Sequence, residues 1–96
     1  MNEDYKNFAL MMKALGDENR LKIFDMLSQG ERCACKILEE FSITQSTLSY
    51  HMKILTECGL VTGRRDGAWM HYSINISRKD ELLCFLNLIF INTDNQ

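Results

Sequence analysis

Proline is absent from the 96-residue sequence, so its helices and strands must end at glycine and polar residues instead. Long apolar runs are absent too: the longest, LLCFLNLIFI at 82–91, has ten residues, whereas a membrane-spanning helix needs about 20. The first residues, MNEDYKN, are polar and acidic, unlike a secretory signal. We therefore expect a cytoplasmic protein with no membrane segment.

Cysteine is too sparse for a disulfide-stabilised secreted domain, since the four residues stand at positions 33, 35, 58 and 84. A disulfide between Cys33 and Cys35 would close a very small ring, so we expect reduced thiols. Cys58 ends a predicted helix and Cys84 lies within an apolar one. We interpret both of them as packing residues.

Basic charge is not in surplus, because 11 Lys and Arg oppose 13 Asp and Glu and give a formal net charge of -2. DNA-binding domains usually carry a basic surplus. The acidic residues, however, concentrate outside 45–72, which holds three Lys or Arg, two acidic residues and both histidines. The length predicts one domain over 1–96, small enough to gain stability from a second copy.

Apolar periodicity predicts four helices in the first part of the chain. Asp17 and Thr44 are the predicted N-caps of the second and fourth helices, and Gly59 ends the fourth. The third and fourth helices flank a tight turn and form a helix-turn-helix pattern. The predicted ranges are 3–15, 18–28, 34–41 and 45–58.

Beyond Gly59 the apolar period changes from that of a helix to that of a strand. LVTGRR and AWMHYSI alternate on either side of Asp66-Gly67, which is a strong hairpin signal. We expect a two-stranded wing here. The predicted fold is therefore mostly α with a small β-hairpin, a winged helix-turn-helix.

A last helix is predicted over 78–91, and residues 92–96 are expected to form a disordered tail. Nine of the ten residues in 82–91 are apolar, which leaves this helix no polar face for solvent. A chain of this size has little with which to cover it. We expect a homodimer with this helix and residues 3–15 at its interface; the alternative is a C-terminal helix sunk into its own core. The apolar face predicted for 3–15 consists of Tyr5, Phe8, Ala9 and Met12.

Polar residues on the outward face of helix 45–58 predict a DNA-reading surface, because Leu48, Met52 and Leu55 point inward. The alternative is an ordinary solvated helix face. His51 is expected to be packed and hydrogen-bonded, and His71 is only a secondary candidate for a DNA contact. The candidate DNA-binding residues are Gln45, Ser46, Thr47, Ser49, Tyr50 and Lys53 of the helix, with Arg64 and Arg65 of the wing.

The stretch LGDENRLKIFDMLSQGERCACKILEEFSITQSTLSYHMKILTECGLV resembles the ArsR/SmtB family of winged-helix metal-sensing repressors, most closely its arsenic-responsive members. The resemblance runs from about residue 10 to 76. It implies a homodimer that binds double-stranded operator DNA and releases it when a metal or metalloid binds. Ser46 stands where many members have proline, and Tyr50 where many have His or Arg.

The same resemblance implies that Cys33 and Cys35 are the sensing thiols. Their chemistry supports this role independently, because thiolates are soft ligands and a helix N-terminus favours the thiolate. The alternative is two small buried side chains without function. Residues two apart on a regular helix point about 200° apart. We therefore expect a shared ligand to distort the start of helix 34–41 and thereby to move helix 45–58.

The resemblance also indicates which ligand the two thiols bind, through the residues at other positions that ligate metals in this family. Arsenic-responsive relatives often have a third cysteine where this chain has Leu38, which leaves two sulfurs and one open coordination position. We expect arsenite or antimonite as inducer. The alternatives are cadmium or lead, whose sensors usually recruit cysteines absent before Cys33 here, or thiol oxidation. The zinc site of the family needs histidine in the last helix, and 78–91 has none. The sequence also lacks paired catalytic groups, so no enzyme is predicted.

Overall fold

The computed structural model describes the backbone of residues 2–94 and the side chains of residues 4–93. It confirms the predicted helices to within a few residues and extends the wing to three strands. The helices are α1 (Asn2–Leu15), α2 (Glu18–Leu27), α3 (Ala34–Glu40), α4 (Gln45–Glu57) and α5 (Ile76–Asp94), and the strands are β1 (Arg32–Cys33), β2 (Val61–Asp66) and β3 (Trp69–Ile74).

Two predicted N-caps are confirmed by their hydrogen bonds. A carboxylate oxygen of Asp17 accepts the backbone N–H of Arg20 at 3.1 Å, which starts α2. Oγ1 of Thr44 accepts the backbone N–H of Thr47 at 3.1 Å, which starts α4. Each contact satisfies a donor that the first turn of a helix leaves unpaired. The start of α4 is thus fixed by its own sequence.

The strands form one antiparallel sheet in the order β1-β3-β2. Asp66 pairs with Trp69, so the hairpin loop is Gly67-Ala68, one residue beyond the expected pair. Gly67 has φ of +68° and Ala68 does not have a positive φ, as in the type II′ turn that suits a two-residue loop. β1 was not predicted, because a strand of two residues has no alternation to detect.

The core lies where α1, α2, α3 and α4 meet the base of the wing. Leu48, Met52 and Leu55 of α4 are buried as predicted. Burial of each such side chain contributes about 1.5–3 kcal/mol. The side chains with less than 2% of their surface exposed are Met11, Ile23, Ile37, Met52, Leu55, Leu60 and Val61.

The apolar face assigned to α1 was largely wrong. Met11 and Ala14 enter the core, whereas Tyr5, Ala9 and Met12 are exposed. The helix has apolar side chains on both faces, so the i, i+3, i+4 pattern alone does not select the buried one. Only Phe8 of the predicted set packs against the core.

α5 is not sunk into the core of its own chain. Leu82 is buried, but Leu83, Leu88 and Phe90 are about 60% exposed. Phe85 stacks on Phe8 with ring centroids 4.4 Å apart, which joins the outer surfaces of α5 and α1. The helix includes residues 92–94, so the expected disordered tail is wrong there, and 95–96 lie outside the described residues. No helix in the described chain is long and apolar enough to cross a bilayer.

Candidate DNA-binding surface and thiol site

The outward face of α4 carries the predicted polar residues. The side chains of Gln45, Ser46, Ser49 and Lys53 are exposed there. Thr47 is half-buried, and its Oγ1 accepts a hydrogen bond of 2.9 Å from the hydroxyl of Thr44. The Thr47 side chain therefore supports the start of the helix.

A groove runs between α4 and the wing. Gln45, Ser49 and Arg65 line one end of it. Ser49 and Lys53 line the next section, against Tyr72 of β3. The groove thus brings four of the eight predicted DNA-binding residues together. They offer one amide, one hydroxyl and two cations, the groups that proteins use for base edges and phosphates.

Tyr50 lies on another side of α4 and is 60% exposed. It lines a pocket with Leu10 and Lys13 of α1 and with Arg20 of α2. The sequence grouped Tyr50 with the reading face because it is one of the residues that face outward when the apolar stripe of α4 faces inward. The structure separates it from the groove.

The two wing arginines have different surroundings. Arg64 donates two hydrogen bonds to the Glu31 carboxylate, from Nε at 3.1 Å and from Nη2 at 2.7 Å. Its Nη1 lies 3.6 Å from Oδ2 of Asp66. This pairing lowers the pKa of Glu31 and raises the pKa of Arg64. Since side chains alternate along a strand, Arg65 faces the groove while Arg64 faces the other side of the sheet.

His51 is buried and hydrogen-bonded, as predicted. Nη1 of Arg20 lies 3.1 Å from Nδ1 of His51, and Nε of Arg20 donates to the carbonyl of Ala14 at 2.7 Å. Guanidinium groups only donate, so Nδ1 is the acceptor and the neutral ring carries its proton on Nε2. The contact joins α2 and the end of α1 to α4.

The two candidate thiols stand where β1 meets α3. Cys33 is the N-cap of α3, with φ -67° and ψ 142°, and its Sγ accepts the backbone N–H of Cys35 at 3.3 Å. In the sheet, Cys33 pairs with His71 of β3. One thiol therefore belongs to the wing sheet, and the other belongs to the first turn of α3.

The thiols differ in acidity because they interact with each other. Hydrogen bonding by the Cys35 thiol favours the thiolate form of Cys33, which lowers the pKa of Cys33 and raises the pKa of Cys35. Backbone N–H groups of Cys35 and Lys36 also lower the pKa of Cys33. Cys33 is thus the first of the pair to become a thiolate, the form that binds soft ions.

The backbone at Cys33 determines whether the expected 200° separation applies. The 200° separation applies only when both residues are helical, and Cys33 has extended backbone outside α3. Its sulfur turns back over the first turn, toward Cys35. The two sulfurs can therefore approach one ligand without first unwinding the helix.

The other candidate positions contribute less to the site. Leu38 is half-buried against the core. Cys58 donates from its thiol to the carbonyl of Leu55 at 3.3 Å, and burial raises its pKa, as expected for a packing residue. Cys84 is exposed on α5, so within this chain it is not a packing residue. No group of three or more His, Cys, Asp or Glu side chains is arranged for an ion among the described residues.

Comparison with known proteins agrees with this architecture. Residues 17–62 match the family described as bacterial regulatory protein, arsR family. The arsenical resistance operon repressor of Staphylococcus aureus is 47% identical over 92 residues, which span 96% of this chain and 86% of that protein.

Two solved structures confirm the winged helix-turn-helix fold. An ArsR-like transcriptional regulator from Rhodococcus sp. RHA1 superposes with a TM-score of 0.83 at 22% identity, covering 97% of this chain and 88% of that one. The homodimeric winged helix-turn-helix DNA-binding domain Mb0332 of Mycobacterium bovis superposes with a TM-score of 0.73 at 28% identity. That match covers 99% of this chain and 85% of the other.

Proposed function

The chain belongs to the arsR family of bacterial regulatory proteins, and we propose that it is an operator-binding repressor that arsenite or antimonite releases through Cys33 and Cys35. It is a transcription regulator and not an enzyme. The observation that carries the proposal is the hydrogen bond from the Cys35 backbone N–H to the sulfur of Cys33, at the junction of β1 and α3. Action on operator DNA makes a cytoplasmic location part of the proposal.

Operator binding uses a homodimer in this proposal. The exposed apolar surface of α5, continued by Tyr5 of α1, is the surface that a second copy would cover. The homodimeric state of Mb0332 supports the same arrangement. Two copies present two α4 helices, which must match half-sites about one DNA turn, roughly 34 Å, apart.

Within each copy, α4 is the recognition helix. Gln45 and Ser49 read base edges, while Lys53 and Arg65 contact phosphates from the groove that they share. Ser46 lies at the N-terminus of α4, where free backbone N–H groups also favour a phosphate. Thr47, Tyr50 and Arg64 lie outside this groove and are kept as candidate contacts.

The thiol chemistry suits a trivalent arsenic or antimony hydroxide. Each thiol replaces one hydroxide: an As–S bond forms, an As–O bond breaks, and the thiol proton leaves with the hydroxide as water. Binding one ion together with Cys35 turns Sγ of Cys33 away from the Cys35 backbone N–H that it accepts in the free protein. Loss of that contact loosens the cap of α3 and shifts β1 against the wing.

The shift at α3 reaches the recognition helix across the short turn that precedes α4. Because two half-sites must fit at once, a small tilt of α4 weakens operator binding. A coupling free energy of about 3 kcal/mol would weaken it roughly 150-fold. The third position of the pyramidal ion is left to water, hydroxide or a small exogenous thiol, since Leu38 packs against the core. Cadmium, lead and thiol oxidation are the competing triggers.

A mobility-shift titration tests the proposal on the promoter nearest the gene of this protein. We expect a complex that dissociates with arsenite or antimonite and less readily with cadmium, lead, zinc or peroxide. A steep dependence of DNA affinity on salt concentration checks that phosphate contacts are made. A complex that persists at saturating arsenite would contradict the sensing role, and so would release that survives in Cys33→Ser or Cys35→Ser.

A further inference from the structure

Arg64 uses its guanidinium on carboxylates of its own chain. Nε and Nη2 hold the two oxygens of Glu31 at 3.1 Å and 2.7 Å, and Nη1 faces Asp66 at 3.6 Å. The same planar fork of N–H groups would hold a DNA phosphate. Two carboxylates thus surround this one guanidinium.

Arg65, the next residue, provides the contrast. It faces the groove that Gln45 and Ser49 line, and it forms no ion pair within the part of the chain that the structure describes. Adjacent arginines of one strand thus present one free cation and one neutralised cation. A surplus of carboxylate around Arg64 does not favour DNA, so this difference calls for a separate role.

We infer that Glu31 competes with operator DNA for Arg64 and thereby lowers the affinity of the wing for its operator. The inference rests on the proposed function, because it requires DNA to approach the wing. Glu31 and Arg64 are 33 residues apart in the chain. Their side chains meet across the central strand β3, where Arg64 lies opposite His71 and His71 lies opposite Cys33. A phosphate can reach the Nε–Nη2 edge of Arg64 only when Glu31 leaves it.

The position of Glu31 places this competition beside the thiol site. Glu31 precedes β1 by one residue and Cys33 by two, so it is carried by the segment that ligand binding would move. Both side chains of the pair are partly exposed, at 38% for Glu31 and 56% for Arg64. Exposed pairs exchange partners readily, and the gain from freeing Arg64 is therefore about two- to five-fold in DNA affinity.

The test is a double-mutant cycle at positions 31 and 64 of the whole chain. The affinity of each variant for operator DNA is measured at one fixed salt concentration. Glu31→Asp keeps the charge but shortens the side chain, so it loses the two-oxygen contact without changing the overall field. We expect Glu31→Asp to tighten DNA binding about two- to five-fold when Arg64 is present. In an Arg64→Gln background, the same change should have no effect. Glu40→Asp, at the exposed end of α3, is the matched control and should leave affinity unchanged.

The outcomes separate the inference from the proposed function. If the wild type binds DNA with a steep salt dependence and Glu31→Asp leaves affinity unchanged or weakens it, Glu31 does not compete and the inference is overturned. An equal gain from Glu31→Asp in the Arg64→Gln background also overturns it. If neither the wild type nor any variant binds DNA in a salt-dependent way, the proposed function itself fails.

Discussion

Arg20 and His51 are joined through Nη1 and Nδ1 at 3.1 Å, a contact that spans 31 residues and attaches the recognition helix to α2. Arg20 also holds the carbonyl of Ala14 at 2.7 Å, so one guanidinium connects three helices. A histidine in this position sets the orientation of α4 through a hydrogen bond as well as through packing. Removing the acceptor should therefore affect both stability and DNA binding.

Replacement of His51 tests this contact. We expect His51→Leu to lower the free energy of unfolding by about 1–3 kcal/mol, because the partly buried guanidinium loses its acceptor. His51→Asn is the matched control, since its side-chain oxygen lies close to the former position of Nδ1 and restores an acceptor. Urea denaturation measures both. A leucine variant as stable as the wild type would show that packing alone holds this junction.

The sulfur of Cys33 has two separable roles, as the cap of α3 and as a ligand. Cys33→Ser keeps a capping oxygen, so it should keep stability and DNA binding and lose release by arsenite. Cys33→Ala loses both roles and should lower the free energy of unfolding by about 1 kcal/mol relative to the serine variant.

Thermal denaturation and the mobility-shift titration together distinguish these variants. Cys58→Ser and Cys84→Ser are the controls for an unspecific effect of removing a thiol, and both should keep the arsenite response. If Cys33→Ser is released by arsenite like the wild type, Cys33 is not a ligand. If Cys33→Ala and Cys33→Ser are equally stable, the cap contributes nothing.

The thiols of the free protein should differ in reactivity. Hydrogen bonding by the Cys35 thiol favours the Cys33 thiolate, so the pKa of Cys33 is lowered and that of Cys35 is raised. At neutral pH Cys33 therefore has the larger thiolate fraction and should be alkylated by iodoacetamide before Cys35. As the pH falls, its advantage should grow until Cys33 also becomes protonated. Cys58, whose pKa is raised by burial, should react more slowly than Cys33.

Mass spectrometry of peptides from a timed reaction measures the order. Cys35→Ala removes the donor, so the reaction of Cys33 should slow and its pH profile should move to higher pH. Alkylation of Cys35 before Cys33 would contradict the assigned direction of the hydrogen bond.

Local signals in the sequence were enough to predict the helices and their N-caps. Asp17 and Thr44 each bond a backbone N–H three residues ahead, and such a contact can be read from one short stretch. The inward stripe of α4 follows from its own period and is likewise confirmed. The three groove residues that α4 contributes, Gln45, Ser49 and Lys53, could be predicted for the same reason.

Contacts between distant residues could not be predicted. β1 is two residues long and exists because Cys33 pairs with His71, far along the chain. The Glu31–Arg64 pair also depends on that sheet, so the sequence treated Arg64 and Arg65 as equivalent. The sequence left Cys33 outside the predicted helix 34–41 but could not supply its partner strand. The buried face of α1 could not be predicted for another reason. Both faces of this helix carry apolar side chains, and only the tertiary contacts determine which face is buried.

The proposed dimer surface can be tested by placing a charge on α5. Leu88 is 58% exposed within one chain and lies beside Tyr5 of α1. Leu88→Asp would bury an unpaired carboxylate between two copies, which costs about 3 kcal/mol or more, or roughly a 150-fold weaker dimer. Sedimentation equilibrium should therefore detect monomers at concentrations where the wild type is dimeric.

Leu21→Asp is the matched control for this experiment. Leu21 is a similarly exposed leucine on α2, at 53%, away from the α1–α5 surface. The Leu21→Asp variant should leave the oligomeric state unchanged. Circular dichroism checks that both variants stay folded. Equal dissociation by both variants, or none by Leu88→Asp, would remove α5 from the interface.

The groove between α4 and the wing predicts two different effects on DNA binding. Lys53 is assigned to phosphate, so Lys53→Gln should weaken binding to all sequences and reduce the salt slope by about one per copy of the chain. Gln45 is assigned to a base edge, so Gln45→Ala should cost about 1–3 kcal/mol per half-site on the operator and little on unrelated DNA.

A control variant at a second lysine, Lys22, distinguishes a local phosphate contact of Lys53 from an effect of the overall net charge. Lys22 is exposed on α2 and pairs with Glu18 at 3.1 Å, away from the groove. Lys22→Gln changes the net charge as much as Lys53→Gln does, yet it should leave the salt slope unchanged, because no phosphate comes within reach. Equal slopes for the two glutamine variants would mean that Lys53 acts only through the overall charge. A Gln45→Ala loss of the same size on unrelated DNA would mean that Gln45 contacts the backbone and that other side chains of α4 read the bases.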